Sequence, residues 1–323
     1  MRYLNDRDLN AVGMPWGELA DVIEAAAGSY AAGECAQPLK PYLQYGDSAN
    51  RIIAMPAYVG RPVRAAGLKW IASFPANVAS GLPRAHGVTV VNDPDTGIPQ
   101  LLIAGGMPNA VRTTAVSAAL LRKLLPYDGR KRQALVIGAG PIGSMHARML
   151  AELFGDTFAR IGVYDKRATP VEGAPFGGDE RIVRCGEAEW REAYTGADVV
   201  VTCTAATDRY IELPPKRDAL LLHVSLRDYL PAALAAVATF VVDDWNEVCR
   251  ADTDIERLHL GGSLERGQAL AFPALVGGDA ATLQRLPRPL LFAPMGLAIF
   301  DVAIAAWYGK QAEQRGLGVQ LGL

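Results

Sequence analysis

Apolar and polar positions change period along this chain, and the change separates two kinds of architecture. After Pro15, residues Leu19, Val22, Ile23 and Ala26 recur at helical spacing and predict a helix from Pro15 to Ala32. Short apolar runs follow at Arg51–Pro56, Gly67–Ala72, Gly87–Val91 and Pro99–Ile103, parted by Asn, Asp, Gly and Pro, and predict strands of a mixed sheet. The segment Asn92-Asp93-Pro94-Asp95-Thr96-Gly97 predicts a turn joining two of them. A helix from about Asn109 to Leu125 then leads through Tyr127-Asp128-Gly129 into apolar strands at Ala134–Ile137, Arg160–Asp165, Ala197–Thr204, Leu220–Leu226, Thr239–Asp243 and Leu290–Ala293, alternating with helices or loops. That alternation predicts a doubly wound parallel sheet. The last helix, Gly296 to Gln314, is long enough to return to the first domain. The expectation is an α/β chain with a discontinuous α+β domain (1–127 with 297–323) around a central domain (128–296).

The first central strand runs straight into Gly138-Ala139-Gly140-Pro141-Ile142-Gly143, and a helix, read here as Met145 to Phe154, follows. This is the G-x-G-x-x-G turn of a Rossmann dinucleotide site, with Gly138 for the tight turn, Gly140 for close approach of the pyrophosphate and Gly143 for helix–strand packing. The phosphates are expected over Pro141 and Ile142, at the positive end of the helix. The next strand ends in Asp165, about 20 residues on, where an acid accepts the ribose hydroxyls and repels a 2′-phosphate. The pattern therefore predicts NAD, while Lys166 and Arg167 leave room for NADP.

Composition narrows the rest. Half of the 323 residues are apolar, enough for a large core, and the net charge of −2 comes without a basic block that could follow a nucleic-acid backbone. The first residues lack a signal-peptide pattern and no apolar run is long enough to span a bilayer, so a cytoplasmic protein is expected. Cys35, Cys185, Cys203 and Cys249 lie far apart, without C-x-x-C spacing, and predict neither a zinc site nor a disulfide framework. Cys203 alone falls near the expected cofactor. His86, His146, His223 and His259 show no metal-ligand spacing and are read as packing or surface residues; no metal is predicted. The absence of G-x-S-x-G and H-E-x-x-H argues against the usual hydrolases.

A nicotinamide cofactor moves hydride only, so the protein must bind the polar substrate and move protons. Lys69 stands inside Gly67-Leu68-Lys69-Trp70-Ile71, where it either faces solvent or, half-buried, meets an anion. Arg112 is read at the start of a small, apolar helix and points either to solvent or to a carboxylate at the domain junction. Asp228 follows the Leu220–Leu226 strand at the carboxyl end of the sheet, where it serves as a general base or caps a loop.

Taken together, Gly67-Leu68-Lys69, the turn from Asn92 to Pro99, Arg112-Thr113, the Gly138–Gly143 loop and the ending Gly296-Leu297-Ala298-Ile299-Phe300-Asp301-Val302-Ala303 resemble the ornithine cyclodeaminase and mu-crystallin family over essentially the whole chain. The resemblance implies a homodimer, a substrate-binding and dimerisation domain built from both chain ends, and a central NAD-binding Rossmann domain. It implies catalytic Lys69 and Asp228, with Arg112, Arg51, Lys40, Met55 and Met295 on the substrate. Cofactor contacts are implied for the Gly138–Gly143 loop, Asp165, Thr204, Ala205, Ser225, Leu226, Arg84 and Arg112. The runs Gln37–Leu43, Arg51–Tyr58, Lys69–Pro75 and Ser225–Tyr229 resemble the subgroup that releases diaminopropionate from a conjugate with glutamate for siderophore assembly. The implied steps are hydride loss from the glutamate α-carbon, attack by water with Asp228 as base, and collapse to 2-oxoglutarate and the diamine, with Lys69 protonating the departing nitrogen and Arg112 gripping a carboxylate. Ornithine cyclodeamination, ketimine reduction and alanine dehydrogenation use the same charges, and a non-enzymatic relative would bind NAD(P)H and a small ligand only.

Overall fold

The computed structural model describes residues 1–47, 49–167, 176 and 178–322. In chain order the elements begin with β1 (Arg2–Leu4), α1 (Asp6–Val12), α2 (Trp16–Ala31), β2 (Tyr42–Leu43), β3 (Arg51–Val59), β4 (Ala65–Ser73), β5 (Ala85–Asn92), β6 (Pro99–Ala104) and α3 (Met107–Leu124). There follow β7 (Arg132–Ile137), α4 (Pro141–Leu153), β8 (Phe158–Tyr164), β9 (Ile182–Arg184), α5 (Trp190–Gly196), β10 (Val199–Thr202), β11 (Leu220–His223), α6 (Pro231–Leu234) and β12 (Thr239–Val242). The chain closes with α7 (Trp245–Val248), α8 (Asp254–Leu260), β13 (Ala269–Ala271), α9 (Phe272–Val276), α10 (Ala280–Leu283), β14 (Leu290–Ala293), α11 (Ala298–Gln314) and β15 (Val319–Gln320). Two compact units result: Met1–Val116 with Leu297–Leu323, and Ser117–Gly296.

The first unit holds a seven-stranded sheet in the order β15-β1-β6-β5-β4-β3-β2. The strands β3 to β6 form an antiparallel meander, and β1 runs parallel to β6, which makes the sheet mixed. Register places Met55, Lys69, Thr89 and Ile103 side by side on one face. The apolar helix α11 packs on that face against β3, β4 and β5, with α2 beside it. Strand alternation turns Pro56, Tyr58, Leu68, Trp70 and Val88 to the opposite face, where Tyr58 is 38% and Trp70 39% exposed.

The second unit holds eight parallel strands in the order β13-β12-β14-β11-β10-β7-β8-β9. The order reverses between β7 and β10, the switch point at which doubly wound folds open a crevice beyond the carboxyl ends of the strands. The strands are apolar on both sides because helices cover both faces: Val199–Thr202, Leu220–His223 and Leu290–Ala293 are buried throughout.

Some boundaries differ from the sequence expectation. The helix α4 starts at Pro141 and not at Met145, since proline suits a first helical turn and a glycine precedes it. Helix α3 starts at Met107, so Arg112 lies in its second turn. Strand β11 stops at His223 because Leu226 takes a left-handed conformation, φ +67°, that a strand cannot contain. The unit division falls inside α3 and not at the Tyr127-Asp128-Gly129 turn. The end of that helix is tied to the second unit: Ser117 Oγ bonds His146, and the carbonyls of Leu124 and Leu125 accept from Arg288 and Gln284.

Candidate active site

The glycine loop between β7 and α4 is built as a cradle. At Gly143 a Cβ would lie 1.8 Å from the Gly138 carbonyl oxygen, so α4 sits against the turn at a distance only glycine permits. Gly138 has φ +104° and a Cβ there would meet the Cys203 carbonyl at 2.5 Å, while the space in front of Gly140 is open. Helix α4 has no side-chain cap at its N-terminus, which leaves its first N–H groups for a phosphate. Behind the loop, Asp165 Oδ2 accepts the Ala139 N–H at 2.8 Å, and Arg167 folds onto the same carboxylate at 3.3 Å. Burial alone would raise the Asp165 carboxyl, but the bonds from Arg167 and Ala139 outweigh it and hold it low, so it stays an anion. These features fit NAD, and Arg167, spent on Asp165, is drawn away from a 2′-phosphate. The variant Gly143→Ala overpacks the turn at a cost of about 1–3 kcal/mol. Fluorescence titration should show NADH binding weakened by at least about tenfold.

In the first unit, Lys69 and Arg112 are both buried, against the solvent-facing readings. Lys69 Nζ donates to Asp301 Oδ1 at 2.9 Å and to Asn109 Oδ1 at 2.6 Å. Arg112 Nε reaches the same Asp301 oxygen at 2.9 Å, and its Nη2 reaches Asn109 at 3.3 Å. One carboxylate oxygen thus anchors two cations, and Asp301 Oδ2 is buried with no hydrogen-bond partner. Burial would raise the Asp301 carboxyl, yet Arg112 and Lys69 hold it below the usual carboxylate range. Burial pushes Lys69 down, Asp301 pulls it back, and Arg112 and Lys40 push it down again, leaving it at about 8. A cleft lined by Lys69, Ile71, Thr89, Gly105, Gly106 and Asn109 opens beside the cluster.

In the second unit, Asp228 is fully buried where the chain leaves β11. Thr204 Oγ1 and Ser225 Oγ donate short hydrogen bonds to it, and Tyr210 OH donates at 3.0 Å. Burial, then Asp228 itself, push the Tyr210 hydroxyl up, so it stays a donor. Three hydroxyls therefore orient one carboxylate. Below it, Asp254 Oδ2 accepts from the Asp228 and Tyr229 N–H groups and from His223 Nε2.

The remaining expected residues are placed as follows. Met55 is buried directly across from Lys69, and Lys40 is buried within charge range of it. Arg51 starts β3, with its guanidinium over the Tyr42 ring at 5.4 Å, and Arg84 is exposed just before β5. Ala205 follows Thr204 beyond β10, and Met295 donates its N–H to Asp243 at 3.0 Å. Sequence reasoning missed Asp301, Asn109, Tyr210, Asp254 and the place of His223. For Asp301 a signal existed: it is the one charged residue in the apolar stretch Ala298–Gly309. His146 is buried beneath the glycine loop and pushed down to about 4 by burial, hence neutral. Among the described residues no group of three or more His, Cys, Asp or Glu is placed to hold a metal, and no helix is long and apolar enough to cross a membrane.

The chain is 31% identical over 334 residues to N-((2S)-2-amino-2-carboxyethyl)-L-glutamate dehydrogenase of Staphylococcus aureus, covering 100% of this chain and 98% of that one. It is 31% identical over 323 residues to the nodulation efficiency protein NfeD of Rhizobium meliloti, covering 98% and 97%. Its fold matches the Delta(1)-pyrroline-2-carboxylate reductase of Thermococcus litoralis, solved with NADH and L-proline, at TM-score 0.82 and 24% identity over 99% of this chain and 100% of that one. The model of the ornithine cyclodeaminase/mu-crystallin family matches residues 11–213. This chain belongs to the ornithine cyclodeaminase/mu-crystallin family.

Proposed function

We propose that this protein catalyses the NAD-dependent oxidative hydrolysis of N-(2-amino-2-carboxyethyl)-L-glutamate to 2-oxoglutarate and L-2,3-diaminopropionate, a building block for siderophores or related products. The coarser reading is that the chain is an NAD-dependent oxidoreductase acting on CH–NH groups of amino-acid-like substrates. The observation that carries the finer one is the burial of Lys69 and Arg112 on a single Asp301 oxygen, with buried Lys40 in charge range. Concentrated positive charge of this kind suits a substrate bearing three carboxylates.

NAD, when bound, supplies the acceptor for the hydride that leaves the glutamate α-carbon. The chain's own groups do the rest. Arg112 still has its Nη1 group, without a partner among the described residues, to grip a substrate carboxylate. Lys69 binds a second carboxylate and, at about 8, delivers a proton to the departing nitrogen. Asp228 takes a proton from the water that attacks the iminium carbon. The balance is one conjugate, one NAD⁺ and one water giving 2-oxoglutarate, diaminopropionate, NADH and a proton. In a parallel assay, the conjugate with NAD should yield NADH and 2-oxoglutarate, and ornithine, alanine or a cyclic imine with NADH should react far more slowly. Turnover of ornithine alone, giving proline, would assign the chain to another branch of the family, and tight NADH binding with no turnover of any of them would make it a binding protein.

We further propose a cytoplasmic homodimer. Its support is the apolar outer face of the first unit's sheet, formed by Pro56, Tyr58, Leu68, Trp70 and Val88, since antiparallel sheets that face water alternate to polar side chains. Four free thiols suit a reducing compartment. Light scattering should give twice the chain mass, and Trp70→Glu should halve it.

A further inference from the structure

Behind Asp228 lies a layer of polar contacts that the reaction does not itself use. Two loops are zipped together there: Arg227 donates from Nε and Nη2 to the Ala251 carbonyl, and Asp254 N–H donates to the Leu226 carbonyl at 2.9 Å. Leu226, Ala251 and Asp252 all have left-handed backbones, at φ +67°, +62° and +58°. Such conformations are costly for residues with a Cβ and persist only where surrounding bonds fix them. At the centre of these contacts is Asp254, whose side chain is 1% exposed. Its Oδ2 accepts from Asp228 N–H at 3.1 Å, Tyr229 N–H at 2.9 Å and His223 Nε2 at 2.8 Å, while its Oδ1 takes Arg209 Nε at 2.6 Å. His223, fully buried, presents its other nitrogen to Thr202 Oγ1 at 2.8 Å and lies 3.8 Å from Asp228 Oδ2.

We infer that Asp254 and His223 are a positioning pair that sets the orientation of the Asp228 carboxylate, Asp254 by holding its backbone and His223 by standing between the two carboxylates. This rests on Asp228 being the base. Their removal should act on the proton-transfer step and spare the binding of NADH and of the conjugate.

The test compares Asp254→Asn, His223→Gln and Asp228→Asn in the full-length protein, with the glutamate–diaminopropionate conjugate and NAD as probes. Asp254→Asn and His223→Gln should each lower kcat by about 10–100-fold, as removal of an orienting partner does. KM for the conjugate and the NADH dissociation constant should stay within about twofold, with one NADH bound per chain. Asp254→Asn and His223→Gln near the normal kcat beside an inert Asp228→Asn would overturn the pair's role and leave the base in place. An active Asp228→Asn would overturn both. Loss of kcat in proportion to NADH stoichiometry would reduce the pair to a structural support. If Asp254→Asn fails to fold, His223→Gln decides, since it keeps the backbone bonds of Asp254.

Discussion

Asp301→Ala is expected to destabilise the first unit by about 3–5 kcal/mol, because it leaves Lys69 and Arg112 buried without their shared anion. Chemical denaturation should show the loss directly. The milder Asp301→Asn keeps the shape and removes the charge, and its effect is read from pH. In the unaltered protein, if Lys69 is the proton donor, kcat/KM should fall as pH rises through about 8, because the proton for leaving-group transfer is then lost. Asp301 is the principal influence raising Lys69, so without its charge Lys69 loses its proton at lower pH. The alkaline limb should therefore move to lower pH in Asp301→Asn. An unmoved limb would separate Lys69 from the proton transfer.

Asp228→Asn is expected to lower kcat by about 10²–10⁴-fold, the usual contribution of a general base. Asparagine can still meet the hydroxyls of Thr204, Ser225 and Tyr210, so the fold around it and the affinity for NADH should be kept. Stopped-flow measurement of NADH formation beside equilibrium NADH titration checks both halves. A large fall in NADH affinity would show that Asp228 belongs to the cofactor's site and not to the proton path.

The parts of this account that could be read from sequence are those whose signal is local. The strand before Gly138, the glycine spacing and the acid at Asp165 lie within one contiguous unit, and the structure assembles them as a cradle. The meander β3–β6 was legible because turn residues bracket each apolar run. Short strands were not: β1, β2, β9, β13 and β15 have two or three residues, too few to show a period. Long-range pairing was equally hidden. Lys69 and Arg112 were open between solvent and an anion because their partner, Asp301, is 232 and 189 residues away. The early end of β11 depends on left-handed Leu226, a leucine that local propensity would keep in the strand.

The central claim is that hydride leaves the α-carbon of an amino-acid-derived amine gripped by buried cations. A glutamate–diaminopropionate conjugate carrying deuterium at the glutamate α-carbon tests it most directly, with mass spectrometry of both products. The account predicts one deuterium in NADH for each 2-oxoglutarate formed, and none in the diaminopropionate. Unlabelled NADH, or 2-oxoglutarate appearing without NADH, would contradict it.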